Sequence, residues 1–295
     1  MQTFNNILMS GIFPELWVKS IIIPIFKKGD VNDTGNYQEI SLLSHVGNVF
    51  TSLISSRLVK WSEENDILTD AQFGFRPGFG TTDAIFALHS LISNTSRKGK
   101  RLYCCFIDYI KAFDSVAHVK LWLKLSRIGI TGKLLNAIKS MYSKLKACVR
   151  LDSNYSDIFT CNVGLMQGES LCPLLYSLYV NDIEVELINQ GCQSYELKKL
   201  NLFLLMYADD TVIFSENVED LQNLINSVNV IANDHGLYVN LNKTKIVVFR
   251  SRGNVKPEER WSLNCNPVEI CDDFVYLGLL FHYDGVFFTY SKITV

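Results

Sequence analysis

The stretch Asn201-Leu202-Phe203-Leu204-Leu205-Met206-Tyr207-Ala208-Asp209-Asp210-Thr211-Val212-Ile213-Phe214 sets a tight acidic break between two apolar runs. Apolar runs of about 4 to 8 residues around a short polar break read as a hairpin buried on one face. Asp209 and Asp210 therefore belong at a hairpin turn, with an aromatic residue, Tyr207, just before them. A third carboxylate is embedded in the same way. Asp108 ends Leu102-Tyr103-Cys104-Cys105-Phe106-Ile107, which reads as a strand. Carboxylates in such surroundings are costly without partners. If the Asp108 strand lies beside the hairpin, the three acids converge, and their repulsion asks for a multivalent cation. An all-oxygen donor set suits Mg²⁺ or Mn²⁺ over zinc, and two such ions about 4 Å apart are the usual apparatus of in-line phosphoryl transfer. A second acidic pair, Asp272-Asp273, follows a Pro-containing polar loop and reads as a solvated turn.

Outward from this centre, helices and strands are mixed. Upstream, Ser20 to Phe26 reads as a strand ending in the basic turn Lys27-Lys28-Gly29-Asp30. Apolar residues from Leu43 to Trp61 recur at helical spacing, so one amphipathic helix ends near Asn65. The Gly/Pro-rich loop Phe73 to Gly80 precedes a helix capped by Thr81 or Thr82, running through Leu91 and closed by Arg97-Lys98-Gly99-Lys100-Arg101. Helices follow at Val119 to Arg127, with Asp114 as a cap before them, and at Leu134 to Tyr142. Two short strands flank Asp152-Ser153-Asn154, and a helix is expected from Ser170 to Ile188 with Pro173 in its first turn. Beyond the hairpin come a helix from Val218 to His235 and strands at Leu237 to Phe249 and Phe274 to Phe281. Without strict βαβ alternation, the pattern favours an α+β layer architecture.

The 295 residues are 48% hydrophobic and 20% charged, the balance of a folded globular chain rather than a disordered one. With 28 basic against 30 acidic residues, the formal charge of −2 supplies no global basic field, so any nucleic acid must be held by local patches such as Arg97 to Arg101 and Lys139 to Arg150. The 8 cysteines include no C-x-x-C pair, and no secretory start opens the sequence. Free thiols and an intracellular setting are expected. The most apolar stretches meet charged residues well before about 18 positions accumulate, so no membrane span is expected.

The series Phe106-Ile107-Asp108-Tyr109-Ile110-Lys111-Ala112-Phe113-Asp114, Gly164-Leu165-Met166-Gln167-Gly168, Leu171-Cys172-Pro173 and Tyr207-Ala208-Asp209-Asp210 resembles the reverse transcriptase domain of LINE-type (non-LTR) retrotransposons. So do Gln72-Phe73-Gly74-Phe75-Arg76 upstream and Phe274-Val275-Tyr276-Leu277-Gly278 downstream, in order over nearly the whole chain.

The resemblance implies a right-hand polymerase, with a fingers-like region over 1–100, a palm-like region over 101–295 and no thumb. It implies an RNA template, a DNA primer and deoxynucleoside triphosphates as partners, and two Mg²⁺ or Mn²⁺ ions as cofactors. Asp108 and Asp209 would ligate both ions, and Asp210 would complete the site. Phe113 matches the aromatic gate against a ribose 2′-hydroxyl, with a core phenylalanine as the alternative. Gln167-Gly168 matches the segment that packs on the incoming nucleotide and template base, the alternative being a plain helix-start loop. Lys27 and Lys28 fit a triphosphate clamp or a solvated turn. Lys243 fits a general acid for departing pyrophosphate or a surface lysine. Arg76 either touches template phosphate or orders its own loop.

The chain departs from the family where Asn-Tyr-Arg followed by Pro or Gly is usual: it reads Asn36-Tyr37-Gln38-Glu39-Ile40-Ser41. The usual arginine binds the triphosphate, so Gln38 loses a positive charge and Glu39 adds a negative one. Cys172 replaces a common serine. These departures, with no endonuclease before the polymerase and no thumb after it, frame a rival expectation, a catalytically inactive remnant that keeps the fold and weak RNA binding. An RNA-dependent RNA polymerase is the other rival, and it has no need for a bulky residue at Phe113.

Overall fold

A computed structural model describes residues 2–27, 29–143, 145–197 and 200–289. The chain folds as two compact units, each built from two stretches: Met1–Leu68 with Phe113–Tyr179, and Thr69–Ala112 with Val180–Val295.

In the first unit, the strand Lys19–Phe26 pairs antiparallel with Tyr37–Leu42, setting Ile25 opposite Gln38, and parallel with Lys146–Leu151, setting Ser20 opposite Ala147. Phe159–Thr160 adds to the last of these strands. The amphipathic pattern from Leu43 becomes the helix His45–Glu64, whose Ser44 hydroxyl accepts the Gly47 N–H and which buries Phe50, Ile54 and Leu58. The helices His118–Arg127 and Gly132–Ser143 form within about two residues of their expected bounds. Asp114 does not cap the first of them. The cap position is Ala117, and the Asp114 carboxylate instead accepts the Gln167 amide at 3.0 Å.

In the second unit, a five-stranded sheet runs Glu269–Cys271, Lys245–Phe249, Leu102–Ile107, Asp210–Ser215, Leu204–Tyr207. Every residue of the central strand Leu102–Ile107 is buried, because both faces are covered. On one face Leu102, Cys104 and Phe106 join Val212, Phe214 and Val247 in an apolar core. The helix Val218–His235 lies against Leu102–Ile107 and Asp210–Ser215. It starts at Asn217, whose side chain accepts two backbone N–H groups, and stops at Gly236, whose φ of 78° lies in the left-handed region.

The structure corrects several element boundaries. The helix before residue 97 is capped by Gly80, whose N–H donates to Asp83 Oδ2 at 2.7 Å, and it runs through Arg97 rather than ending at Leu91. The helix expected from Ser170 to Ile188 is two, Cys172–Val180 and Ile183–Asn189. It breaks at Asn181-Asp182, where Asn181 Oδ1 accepts the Thr69 N–H at 2.8 Å; short polar side chains of this kind compete with helical hydrogen bonding. Leu237 to Thr244 is turns and one bridge, and only Lys245–Phe249 is strand. Phe274 to Phe281 is a hairpin of Asp273–Tyr276 and Leu279–His282, turned by Leu277 and Gly278 at φ of 48° and 85°. No helix among the described residues is long and apolar enough to cross a membrane. All eight cysteines are free.

Candidate active site

The second unit gathers three acids and a lysine at one end of its sheet. The strands Leu204–Tyr207 and Asp210–Ser215 pair with Asp210 opposite Tyr207, so Ala208 and Asp209 are the two residues of a tight turn. Ala208 takes φ of 58°, a conformation that non-glycine residues rarely adopt. Asp210–Ser215 also pairs with Leu102–Ile107, Thr211 opposite Ile107, which brings Asp108 to the acidic turn. Asp108 leaves its strand with its N–H donating to Thr244 Oγ1 at 3.2 Å and its carbonyl accepting the Asn240 N–H at 2.8 Å. Those bonds tie it to the turn that carries Lys243, whose Nζ stands 3.8 Å from Asp108 Oδ2.

Electrostatics register the convergence. Loss of water around the Asp210 carboxyl, followed by the charges of Asp209 and Asp108, pushes it up to about 6. The residue nevertheless remains exposed to solvent. Three oxygen-donor side chains that resist joint ionisation fit a hard divalent cation.

What holds the acidic turn is Gln72, a residue that sequence reasoning left within a motif without a role of its own. Gln72 is fully buried, and its Oε1 accepts the N–H groups of Gly74 at 2.8 Å and Ala208 at 3.1 Å. Phe73 N–H donates to Met206 O at 2.8 Å, and Met206 N–H to Ala71 O at 2.7 Å. The loop Gln72-Phe73-Gly74 is thus a splint along the hairpin. Arg76 is turned into this loop: only 8% of its side chain is exposed, Nη1 donates to the Thr69 carbonyl at 2.9 Å, and the guanidinium lies 4.5 Å from the Phe79 ring centre. Downstream, Phe274 stacks on Phe106 at 4.3 Å, and the Tyr276 hydroxyl is buried below the acids, pushed up by burial first and Asp210 second.

The first unit gathers a second set. Gln38 Nε2 donates to Gln167 Oε1 at 3.4 Å, and the Gln167 carbonyl accepts the Ser41 N–H at 2.9 Å. Gly168 has φ of 106°, and a Cβ there would lie 2.9 Å from Ser41 O, so glycine is required for this close approach. Phe113 is half-buried and stacks on Tyr176 at 4.3 Å with 29° between the rings. Lys27 is exposed just past its strand, and Lys28 lies outside the described residues.

The basic stretch near residue 100 is partly neutralised. Lys98 and Lys100 pair with Glu216, and Arg101 Nη1 pairs with the fully buried Glu259 at 2.6 Å. A further group absent from the sequence reading is Asp182, Glu186 and His235, whose ligand atoms lie within 4.8 Å of one another and which can hold a metal ion. The four-residue spacing of Asp182 and Glu186 was the available signal; His235 joins them only through tertiary packing.

Glu169, directly after Gln167-Gly168, is 3% exposed. Burial pushes its carboxyl from 4.5 to about 7, although Thr51 and the N–H groups of Leu171 and Cys172 favour the anion. Below about 4.5 the folded and unfolded chains both carry the proton, so its stabilising effect is complete. Between 4.5 and 7 only the folded chain retains it, so stability falls as pH rises. The loss is on the order of 3 kcal/mol. Glu169→Gln should remove this part of the slope, read as the difference in urea midpoint between wild type and variant from pH 4.5 to 8. Identical slopes would mean that the carboxyl ionises freely in the fold.

The family described as reverse transcriptase (RNA-dependent DNA polymerase) matches residues 25–281. The RNA-directed DNA polymerase from mobile element jockey of Drosophila melanogaster is 27% identical over 283 residues, covering 94% of this chain and 30% of that protein. The probable RNA-directed DNA polymerase from transposon X-element of the same species is 35% identical over 185 residues, covering 61% of this chain and 20% of that one. The chain thus spans about a third or less of these relatives. Among solved structures, apo telomerase from Candida tropicalis truncated from its C-terminal domain superposes with a TM-score of 0.63 at 15% identity, covering 92% of this chain and 54% of that chain. Telomerase from Candida tropicalis in complex with a fragment of telomeric RNA gives 0.64 at 12% identity, covering all of this chain and 49% of that one. The likeness shows a right-hand polymerase fold of the α+β class.

Proposed function

The chain belongs to the reverse transcriptase (RNA-dependent DNA polymerase) family, and from that premise we propose that it is the polymerase region of a LINE-type (non-LTR) retrotransposon protein, adding deoxynucleotides to a DNA primer on an RNA template. One observation carries the reading: Asp108, Asp209 and Asp210 meet at one end of a sheet, with Lys243 beside Asp108. We assign Asp108, Asp209 and Asp210 as the residues that would hold two Mg²⁺ or Mn²⁺ ions. When bound, such ions lower the pKa of a primer 3′-hydroxyl and neutralise the triphosphate.

The rest falls to the chain's own groups. Lys243, 64% exposed, has the freedom to reach a leaving pyrophosphate and give up a proton. Gln72 and Gly74 fix the acidic turn, and Arg76 acts through the same loop rather than on template directly. Gln38, Gln167 and Gly168 would meet the nucleotide, with Lys27 and Lys28 as a triphosphate clamp. In this reading the fingers comprise about 1–100 and the palm 101–295.

A second reading, an inactive remnant with weak RNA binding, draws on Gln38, a neutral amide where the family's arginine offers phosphate a planar charged fork. Primer extension on an RNA template with Mg²⁺ separates the two, since no incorporation by folded protein favours the remnant. Phe113→Val tests the gate in the same assay. Opening the sugar pocket should raise the ratio of ribo- to deoxynucleotide incorporation by about tenfold or more, as expected when about 1.4 kcal/mol of steric discrimination is lost. An unchanged ratio would leave Phe113 as the stacking partner of Tyr176 and nothing more.

A further inference from the structure

We infer that a cavity of about 420 Å³ in the first unit, between the helix His45–Glu64 and the segment 129–134, binds a small aromatic carboxylate. The volume is in the range of small-ligand pockets. Its floor is apolar: Ile54, Leu58 and Ile130 are each 5% exposed or less, and Leu134, in the first turn of the helix Gly132–Ser143, adds a further apolar wall. The charge sits at the rim. Arg57 is exposed, and among the described lining residues no other is charged. A carboxylate offers a guanidinium two parallel hydrogen bonds while the apolar body behind it reaches the floor, whereas a cation meets only like charge. None of the residues assigned to the acids or to the nucleotide lines this cavity, so the inference does not rest on the polymerase reading.

The sequence around the cavity supplies the guanidinium with no acid. On a helix, side chains three and four positions apart are neighbours, and for Arg57 these are Leu53, Ile54, Lys60 and Trp61. Glu64, further along the helix, pairs with Lys60. On the other wall, residues 115–151 contain eight Lys or Arg and no Asp or Glu. Arg127 and Lys133, which flank that wall in sequence, are exposed and make no ion pair among the described residues. The Arg57 side chain likewise has no hydrogen bond, ion pair or ring contact among them. The field at the rim therefore selects an anion. Trp61 selects an aromatic one. It lines the cavity half-buried, and among the described residues its ring has no aromatic partner and its indole N–H no acceptor. Gly129 puts no side chain over it, since a Cβ there would lie 4.0 Å from Trp61 Cζ2. An aromatic occupant gains an edge or face contact with this ring that an aliphatic one lacks.

The experiment titrates indole-3-propionate and its neutral counterpart, indole-3-propionamide, into the full chain by calorimetry. The carboxylate should bind at one site, and the amide roughly tenfold more weakly. Arg57→Gln should weaken indole-3-propionate roughly tenfold, the loss expected for a charge-assisted hydrogen bond, and leave the amide unchanged. Arg57 is exposed, so the fold is not at stake in that variant. Trp61→Leu should weaken both probes, because the ring contact serves both and the charge only one. Absence of indole-3-propionate binding, equal binding of the two probes, or binding indifferent to Arg57→Gln would overturn the assignment. Oligouridylate binding that depends on Arg57, in a chain that does not bind indole-3-propionate, would give this surface to nucleic acid instead.

Discussion

Asp108→Asn is expected to abolish primer extension while leaving the chain folded. Asp108 sits at the end of a strand buried on both faces, and its backbone is held by Thr244 and Asn240, none of which needs the carboxylate. Removing the charge relieves repulsion on Asp210, whose carboxyl is pushed up to about 6 in part by Asp108. Thermal stability should stay level or rise. Catalysis should respond in the opposite direction. A neutral amide at 108 leaves two carboxylates to hold the ions, and loss of several kcal/mol of charge stabilisation corresponds to a rate fall on the order of a thousandfold or more. The two readouts together separate a catalytic acid from a structural one. Extension that survives with a folded variant would sink the three-acid reading, and a variant that fails by circular dichroism would make Asp108 a structural residue.

The centre of this site was legible in the sequence because its signals are local. Two apolar runs around Ala208-Asp209-Asp210 leave little besides a hairpin, and Gly236 marks the end of the helix that follows it. Signals that depend on distant partners were not legible. The hairpin turn at Leu277-Gly278 puts a leucine at φ of 48°, which no turn preference announces. The break at Asn181-Asp182 follows from a bond to Thr69, 112 residues away. The role of Gln72 rests on Ala208, 136 residues away. Side chains that look ordinary in their own segment acquire their work from strand order, and strand order is what a single sequence carries least directly.

The splint beneath the acidic turn makes its own prediction. A Cβ added at Gly74 would lie 2.3 Å from Ala208 N and 3.0 Å from Tyr207 C, both backbone atoms of the turn that presents Asp209. No rotamer change can relieve that overlap, so Gly74→Ala must move either the loop or the turn. If the turn moves, Asp209 shifts relative to Asp108, and a displacement of about 1 Å at such a site costs on the order of a hundredfold in rate. Overpacking of this kind also costs about 1 to 3 kcal/mol of stability. Gly80→Ala is the control in the same loop, since its Cβ would meet only Asp83 Oδ2 at an ordinary 3.7 Å. Primer-extension rates and urea midpoints of the two variants give the comparison, with Gly80→Ala close to wild type in both. Gln72→Ala should follow Gly74→Ala, because it strips the acceptor from two buried N–H groups, one of them on Ala208. Wild-type rates in Gly74→Ala would mean that the turn is fixed by the hairpin alone and that the loop merely covers it.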